Sequence, residues 1–355
     1  MTEEKLRYVA ENKPCLVSLE AGKKYAWCTC KHSKEQPFCD GSHKGTDMRP
    51  MVFTADKDED VLLCACKATQ SGPYCDGAHN NLEEVYAEAT PEEIESLKSS
   101  LFVPRTDGEL GKADLDGGAY VLTPSENDNK TIGNLSYQPV IAKEDGASKL
   151  SLHRMTLSEG TTPWLQYSDV DTVLYIVDGN GHVDIAGTKI DISKETGVYV
   201  RPGEAFRITA NCDMTLFAAV CPMKTELLIA DKNSTSFQND YPERKVKFDM
   251  AKTNVMANRF YQELVDKKVG SNEVTQFIGE VPLSRAAMHR HLYEEAIVIL
   301  TGYGRMWTGT KWADVKVGDV LFLPHRQGHS LECTAEEGMR LMGVFYPSGS
   351  PAINY

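Results

Sequence analysis

The chain has 355 residues, of which 41% are apolar and 25% charged, a length and balance that favour two or three globular domains. Its net charge of −13 argues against nucleic acid and against an anionic membrane surface as partners, because both call for a basic face. No apolar run approaches the length of a membrane span. Met1-Thr2-Glu3-Glu4-Lys5 carries no signal pattern, so the expected location is the cytoplasm.

Six of the ten cysteines lie between Cys28 and Cys75, in two matched groups. In a reducing compartment such a cluster points to metal binding rather than to disulfides. The stretch from Cys28 to His43 recurs from Cys64 to His79, displaced by 36 residues. Both copies read C-x-C-x2-[ST]-x3-P-x-C-D-G-[SA]-H. Cys28 and Cys30, two apart in an extended segment, can face one metal pair. Cys39 and His43, four apart, would share one face of a helix opened by Asp40 and Gly41. Each copy then offers three thiolates and one imidazole. Structural zinc sites usually use wider C-x2-C to C-x4-C pairs. Cys15, Cys212, Cys221 and Cys333 are expected to be buried, inert thiols. His32, inside the first copy but off the ligand positions, reads as a surface residue.

This pattern resembles the CDGSH (NEET-type) iron-sulfur family at every defining position of both copies. The resemblance implies two [2Fe-2S] clusters, one on Cys28, Cys30, Cys39 and His43, the other on Cys64, Cys66, Cys75 and His79. An imidazole in place of a thiolate makes a cluster less negative and raises its reduction potential. Many CDGSH proteins work as dimers; two repeats in tandem would give the same pairing within one chain.

Thr90-Pro91-Glu92-Glu93 is a helix start, and the helix should run to about Ser99. Pro104 to Gly118 reads as a linker or long loop. Strand patterns begin near Tyr137. Ser151–Leu157 alternates, Thr172–Val177 is rich in β-branched residues, and Asp178-Gly179-Asn180-Gly181 is a turn signal. Short strands at His182–Ile185, Lys189–Ile192 and Gly197–Val200 follow, pointing to a β-sandwich or barrel.

The same order returns after residue 236. Here His289 and His291 sit two apart, and Glu295 lies at an even offset, so a continuous strand would present all three on one face. His329 follows beyond a turn. Three imidazoles and a carboxylate suit a divalent first-row metal. The half resembles a cupin. His289-x-His291-x3-Glu295-x6-Gly302 matches the first cupin motif, except that Leu283 stands where a glycine is usual. Gly318-x5-Pro324-x4-His329 matches the second, with Arg326 for its glycine and Cys333 for its asparagine. The resemblance implies His289, His291, Glu295 and His329 as metal ligands. The earlier β half looks like a degenerate cupin: Gln166, Ser168 and Thr172 fall at the first-motif positions, and Phe206 or Arg207 where the last histidine should be. No metal is expected there, and His153 and His182 read as ordinary core or surface residues. Tyr293, Arg305, Trp307 and His325 are weaker candidates for positioning a substrate.

The fold expected is mainly β: a double-stranded β-helix (jelly-roll) bicupin with a small N-terminal α+β tandem CDGSH iron-sulfur domain. The divisions are 1–88 for the tandem iron-sulfur domain, 89–136 for a helix and linker, 137–235 for the degenerate cupin and 236–355 for the metal-binding cupin. A cupin metal alone serves many reactions. An isomerase needs no electrons, whereas an iron site that must activate O2 on an electron-poor substrate needs two more. The expected activity is therefore that of a non-haem iron oxygenase, in which two [2Fe-2S] clusters pass electrons to one mononuclear Fe(II) (or Mn or Ni). It would oxidise a small organic substrate with O2 and draw electrons from a reductase or ferredoxin. The path would run within one chain or across a homodimer. The alternatives are a cupin dioxygenase or other metalloenzyme with regulatory clusters, and a non-catalytic redox sensor.

Overall fold

The computed structural model describes residues 14–31, 33–44, 48–67, 69, 72–75, 101–106, 111–125, 129–230, 236–256, 259–286, 288–309 and 311–352. His32, His79 and the helix expected over 90–99 lie outside them. The chain forms two compact units, a small N-terminal one and a large one that takes up most of the sequence from Phe102 onward.

In the small unit, Cys15–Leu19 pairs antiparallel with Glu59–Leu63, and Lys24–Trp27 pairs antiparallel with Met51–Thr54. Each two-stranded sheet therefore takes one strand from each sequence copy. The core repeats as the sequence does: Leu19 with Ala55, and Trp27 with Leu63, are all buried together. The turns repeat too. The Cys28 N–H donates to Pro37 O at 2.9 Å and the Cys64 N–H to Pro73 O at 2.8 Å. The Ser33 hydroxyl donates to Phe38 O, as the Thr69 hydroxyl does to Tyr74 O. One expectation fails here. Cys39 to His43 is a turn rather than a helix, because Gly41 sits at φ +91° and Asp40 caps the Ser42 N–H with its own side chain.

The large unit is built of two β halves. The first has a seven-stranded sheet, ordered from Lys245–Lys247 through Thr196–Val200, Asp171–Asp178, Met214–Cys221, Ser151–Leu157 and Leu135–Ile141 to Lys130–Ile132, and a smaller sheet facing it. The second has an eight-stranded sheet, with Glu294–Thr301 between Met339–Tyr346 and Val320–Leu323, and a four-stranded sheet. Each half encloses its own apolar core, and a third core, shared by residues such as Leu152, Val173, Ile278, Val298 and Val344, joins the two large sheets. Strands in those sheets are covered on both faces, so they carry unbroken apolar runs rather than alternation. Along Glu294–Thr301, Ala296 and Val298 enter the shared core while Ile297 and Ile299 enter the core of the second half. Parity therefore aims Glu295 into the second barrel and Glu294 toward the first half.

The halves exchange strands. Tyr120–Thr123, preceded by its hairpin partner Gly111–Asp114, pairs with Val320–Leu323 of the second half. Lys245–Lys247 pairs back onto Thr196–Val200 of the first. The stretch from Pro104 to Gly118 thus holds a strand where a linker was expected. Gly117 and Gly118, at φ +65° and +85°, turn the chain sharply enough for these two short strands to pair. Their apolar residues are too few to give a period.

Candidate metal centre and cysteine sites

Ser284–Arg285 closes one edge of the four-stranded sheet, and the chain then loops through His289 and His291 to reach the strand that starts at Glu294. The alternation expected from a continuous strand is absent between 290 and 293, yet the loop delivers the same result. One nitrogen each from His289, His291 and His329 lie within 4.8 Å of one another. Glu295 Oε2 is 3.4 Å from His291 Nε2. The three histidines expected at the centre are therefore brought together, with Glu295 beside His291. His329 arrives from a turn in which Arg326 holds the left-handed conformation, φ +66°, usual for a glycine. The Arg326 N–H donates to His291 O at 2.8 Å and ties the two motifs to each other.

The imidazoles are oriented from behind. His329 Nδ1 lies 2.9 Å from Gln327 O, and His291 Nδ1 lies 2.9 Å from the Tyr293 hydroxyl. With Nδ1–H donated outward in each, the Nε2 lone pairs face the centre, which is the tautomer a metal ligand needs. Tyr293 is itself stacked between His291 and Phe345, at centroid distances of 4.7 and 4.1 Å. Glu295 is buried, its Oε2 accepts no hydrogen bond, and burial pushes its carboxyl up to about 8. Three converging imidazoles, one of them beside a buried carboxyl oxygen without a donor, are the arrangement a divalent cation would complete. The residues fit such an ion.

Other expectations are redrawn. Trp307 donates to Glu332 at 2.7 Å, Arg305 lies 3.9 Å from the same carboxylate, and His325 is exposed. In the first half, Gln166 is half-buried and Ser168 exposed, while Leu165 and Tyr167 turn into the core. Phe206, fully buried, fills the place of the last histidine, and Arg207 pairs outside with Asp184 at 3.0 Å. His153 is completely buried, with Nε2 3.2 Å from Lys224 O, and burial lowers its pKa to about 4.

Sequence reasoning missed Glu294. Its carboxylate accepts from the backbone N–H groups of Ser148 (3.0 Å), Lys149 (2.8 Å) and Leu150 (3.2 Å), and from the Ser148 hydroxyl. The signal was an acidic pair at the start of an otherwise apolar strand, where alternation sends one carboxyl to each face.

In the small unit the thiols gather as the spacing requires. Cys28 and Cys30 Sγ are 3.7 Å apart, Cys39 Sγ lies 3.1 Å from His43 Nδ1, and Cys64 and Cys66 Sγ are 3.4 Å apart. All are free of disulfides. Donors converge on the sulfurs: Gln36 on Cys28, the Gly41 N–H on Cys39 and the Lys67 N–H on Cys64. Burial opposes ionisation of Cys28, but donors from Ser33, Cys30, Gln36 and Lys31 outweigh it and lower its thiol pKa. Paired thiols, with an imidazole beside Cys39, suit an iron-sulfur cluster. Of the remaining cysteines, Cys221 and Cys333 are buried as expected, whereas Cys15 is half-buried and Cys212 exposed.

Comparison with known proteins finds two matched regions. Residues 4–44 match the family model described as iron-binding zinc finger, CDGSH type, and residues 281–345 match the cupin domain model. Over 49 residues, or 13% of the chain, it is 51% identical to the mitochondrial CDGSH iron-sulfur domain-containing protein 3 of Mus musculus and 53% identical to that of Homo sapiens. It spans 36% and 39% of those two proteins. Among solved structures, the Ylba protein of E. coli superposes with a TM-score of 0.52 at 17% identity, covering 68% of this chain and 96% of that one. Oxalate decarboxylase of Bacillus subtilis, described with Mn(II) centres, gives a TM-score of 0.53 at 14% identity over 65% of this chain and 78% of that one. At such identities the likeness shows the fold. The chain thus carries a CDGSH-type iron-sulfur segment at its N-terminus and a cupin domain in its C-terminal region. No helix among the described residues is long and apolar enough to cross a membrane.

Proposed function

We propose that this protein is a metal-dependent cupin oxidoreductase that oxidises a small organic molecule with O2 and draws electrons from iron-sulfur sites in the same chain. The observation that carries the reading is the convergence of His289, His291 and His329 beside the undonated Glu295 oxygen, in a chain that also gathers paired thiols. His289, His291, Glu295 and His329 would hold one divalent metal, Fe(II) by preference over Mn or Ni. Cys28, Cys30, Cys39 and His43, with Cys64, Cys66, Cys75 and His79, would hold two [2Fe-2S] clusters. Loaded in this way, the histidine centre would supply open positions for O2 and substrate, and the cysteine sites single electrons.

The chain's own residues prepare that chemistry. Tyr293 and Gln327 hold two imidazoles in the ligand tautomer. Burial disfavours the charged form of Glu295, so a bound cation would be what favours its ionisation. Phe206, in the equivalent position of the first half, is packed into that half's apolar core.

Iron, manganese and acid-labile sulfide should be measured on the purified protein. The dithionite-reduced protein should then be mixed with O2 and candidate small molecules while the visible and EPR signals of the clusters are followed. Cluster reoxidation in step with product supports the oxygenase. Full turnover after both clusters are removed would sink it. The likeness to oxalate decarboxylase favours a second reading, a cupin metalloenzyme whose clusters only regulate; product formed without any change in cluster oxidation state would select it.

A further inference from the structure

The two cysteine copies are joined by two side chains that no motif accounts for. Trp27 precedes the first cysteine of the first copy, and its indole N–H donates at 2.7 Å to the carbonyl of Cys64, the first cysteine of the second. Lys67, from the second copy, reaches the other way. Its ammonium donates to that same Cys64 carbonyl at 2.8 Å and to the Pro37 carbonyl of the first copy at 3.4 Å. Pro37 O is also the acceptor for the Cys28 N–H at 2.9 Å. The ammonium lies 4.6 Å from the centre of the Trp27 ring, a cation over an aromatic face. Gly72 lets the ring lie there, since a Cβ at that residue would meet it at 3.0 Å. One half-buried cation is thus one carbonyl away from a ligand cysteine of each copy.

The arrangement is not symmetric. The counterpart of Trp27 is Leu63, which is aliphatic and buried. The counterpart of Lys67 is Lys31, with the same left-handed backbone, φ +70° against +63°. Among the described residues the Lys31 ammonium makes no hydrogen bond or ring contact, so a single lysine bridges the copies.

Resting on the reading of both copies as [2Fe-2S] sites, we propose that Lys67 is a shared electrostatic element that favours reduction of both. Uptake of one electron adds one negative charge to a site. A cation held nearby and shielded from solvent stabilises that charge more than an exposed one would. It therefore raises the midpoint potential, one of the levers a protein has on an iron-sulfur centre. Because the ammonium is anchored to both copies, its charge acts on two sites at once, and the sites are tuned together.

The test is a redox titration of the full chain with sodium dithionite and mediators, read by visible and EPR spectra. Lys67→Met should lower both midpoint potentials, and Lys67→Gln should repeat the shift should the methionine variant load poorly. Lys67→Arg, which keeps the charge, should stay near the wild type. Lys31→Met should move the potentials less than Lys67→Met does. A neutral variant with both clusters loaded and both potentials unchanged overturns the proposal, as does an arginine variant shifted as far as the neutral ones. A wild-type protein that binds no [2Fe-2S] cluster would instead overturn the underlying reading of the cysteine copies.

Discussion

The Tyr293 hydroxyl lies 2.9 Å from His291 Nδ1 while the two rings stack at 4.7 Å. One residue thus fixes both the proton and the plane of a central imidazole. Partners of this kind typically change metal affinity by about 10- to 100-fold when removed. Tyr293→Phe keeps the stacking on Phe345 and deletes only the hydroxyl. It should weaken metal binding by roughly tenfold with little loss of stability. Competition with a chelator, using Mn(II) read by EPR, measures the change; unaltered affinity would refute the role assigned to the hydroxyl.

Glu294 should matter as much for folding as Glu295 does for the metal. Glu294→Ala strands three backbone N–H groups, those of Ser148, Lys149 and Leu150, at a packed boundary. Hydrogen bonds to a charged group are worth about 1.5–3 kcal/mol each in context, and they do not add. A loss of roughly 3 kcal/mol is expected in urea unfolding, and Glu294→Gln should lose less. A neutral result for the alanine variant would mean that this carboxylate is not an anchor.

His153 gives the stability a definite acid limb. Its folded pKa is lowered by burial to about 4, against an ordinary 6.5 in the unfolded chain. Between those values the unfolded state binds the extra proton, so stability is complete above about pH 6.5 and is lost as pH falls toward 4. The full shift corresponds to about 3 kcal/mol. Melting temperatures at pH 7.5 and 4.5 should fall less for His153→Asn than for the wild type. Equal falls would exclude this residue as the cause.

Arg244 and Glu204 form a fully buried pair at 2.7 and 3.0 Å, and Arg244 also donates to Gln238 O and Tyr241 O. The pair secures the segment that carries Lys245–Lys247 onto the first half. Removing one partner of such a pair typically costs about 3–5 kcal/mol, because the other charge is left buried. Glu204→Ala should therefore unfold at markedly lower urea. The double variant Glu204→Met with Arg244→Leu should recover much of the loss. A double variant no better than the single would show that packing, not charge, dominates here.

The histidines, Glu295 and the cysteine copies could be read because metal chemistry fixes residue type and spacing together. Lone substitutions such as Arg326 for glycine did not hide them, since a left-handed turn tolerates an arginine at moderate cost. The strand exchange was not legible. Tyr120–Thr123 has the apolar character of a strand, but nothing local says that its partner lies some 200 residues later, at Val320–Leu323. The choice between Phe206 and Arg207 was equally closed to spacing; burial decided it. Glu294 escaped notice because most of its partners are backbone N–H groups, which every sequence has.

The small unit divides each of its sheets between the two cysteine copies. A fragment ending after Arg49 would own Cys15–Leu19 and Lys24–Trp27 but neither of their mates. To bury those edges it would have to trade strands with a second molecule. Duplication within one polypeptide turns what would otherwise be a bimolecular assembly into an intramolecular one, so its formation does not depend on protein concentration.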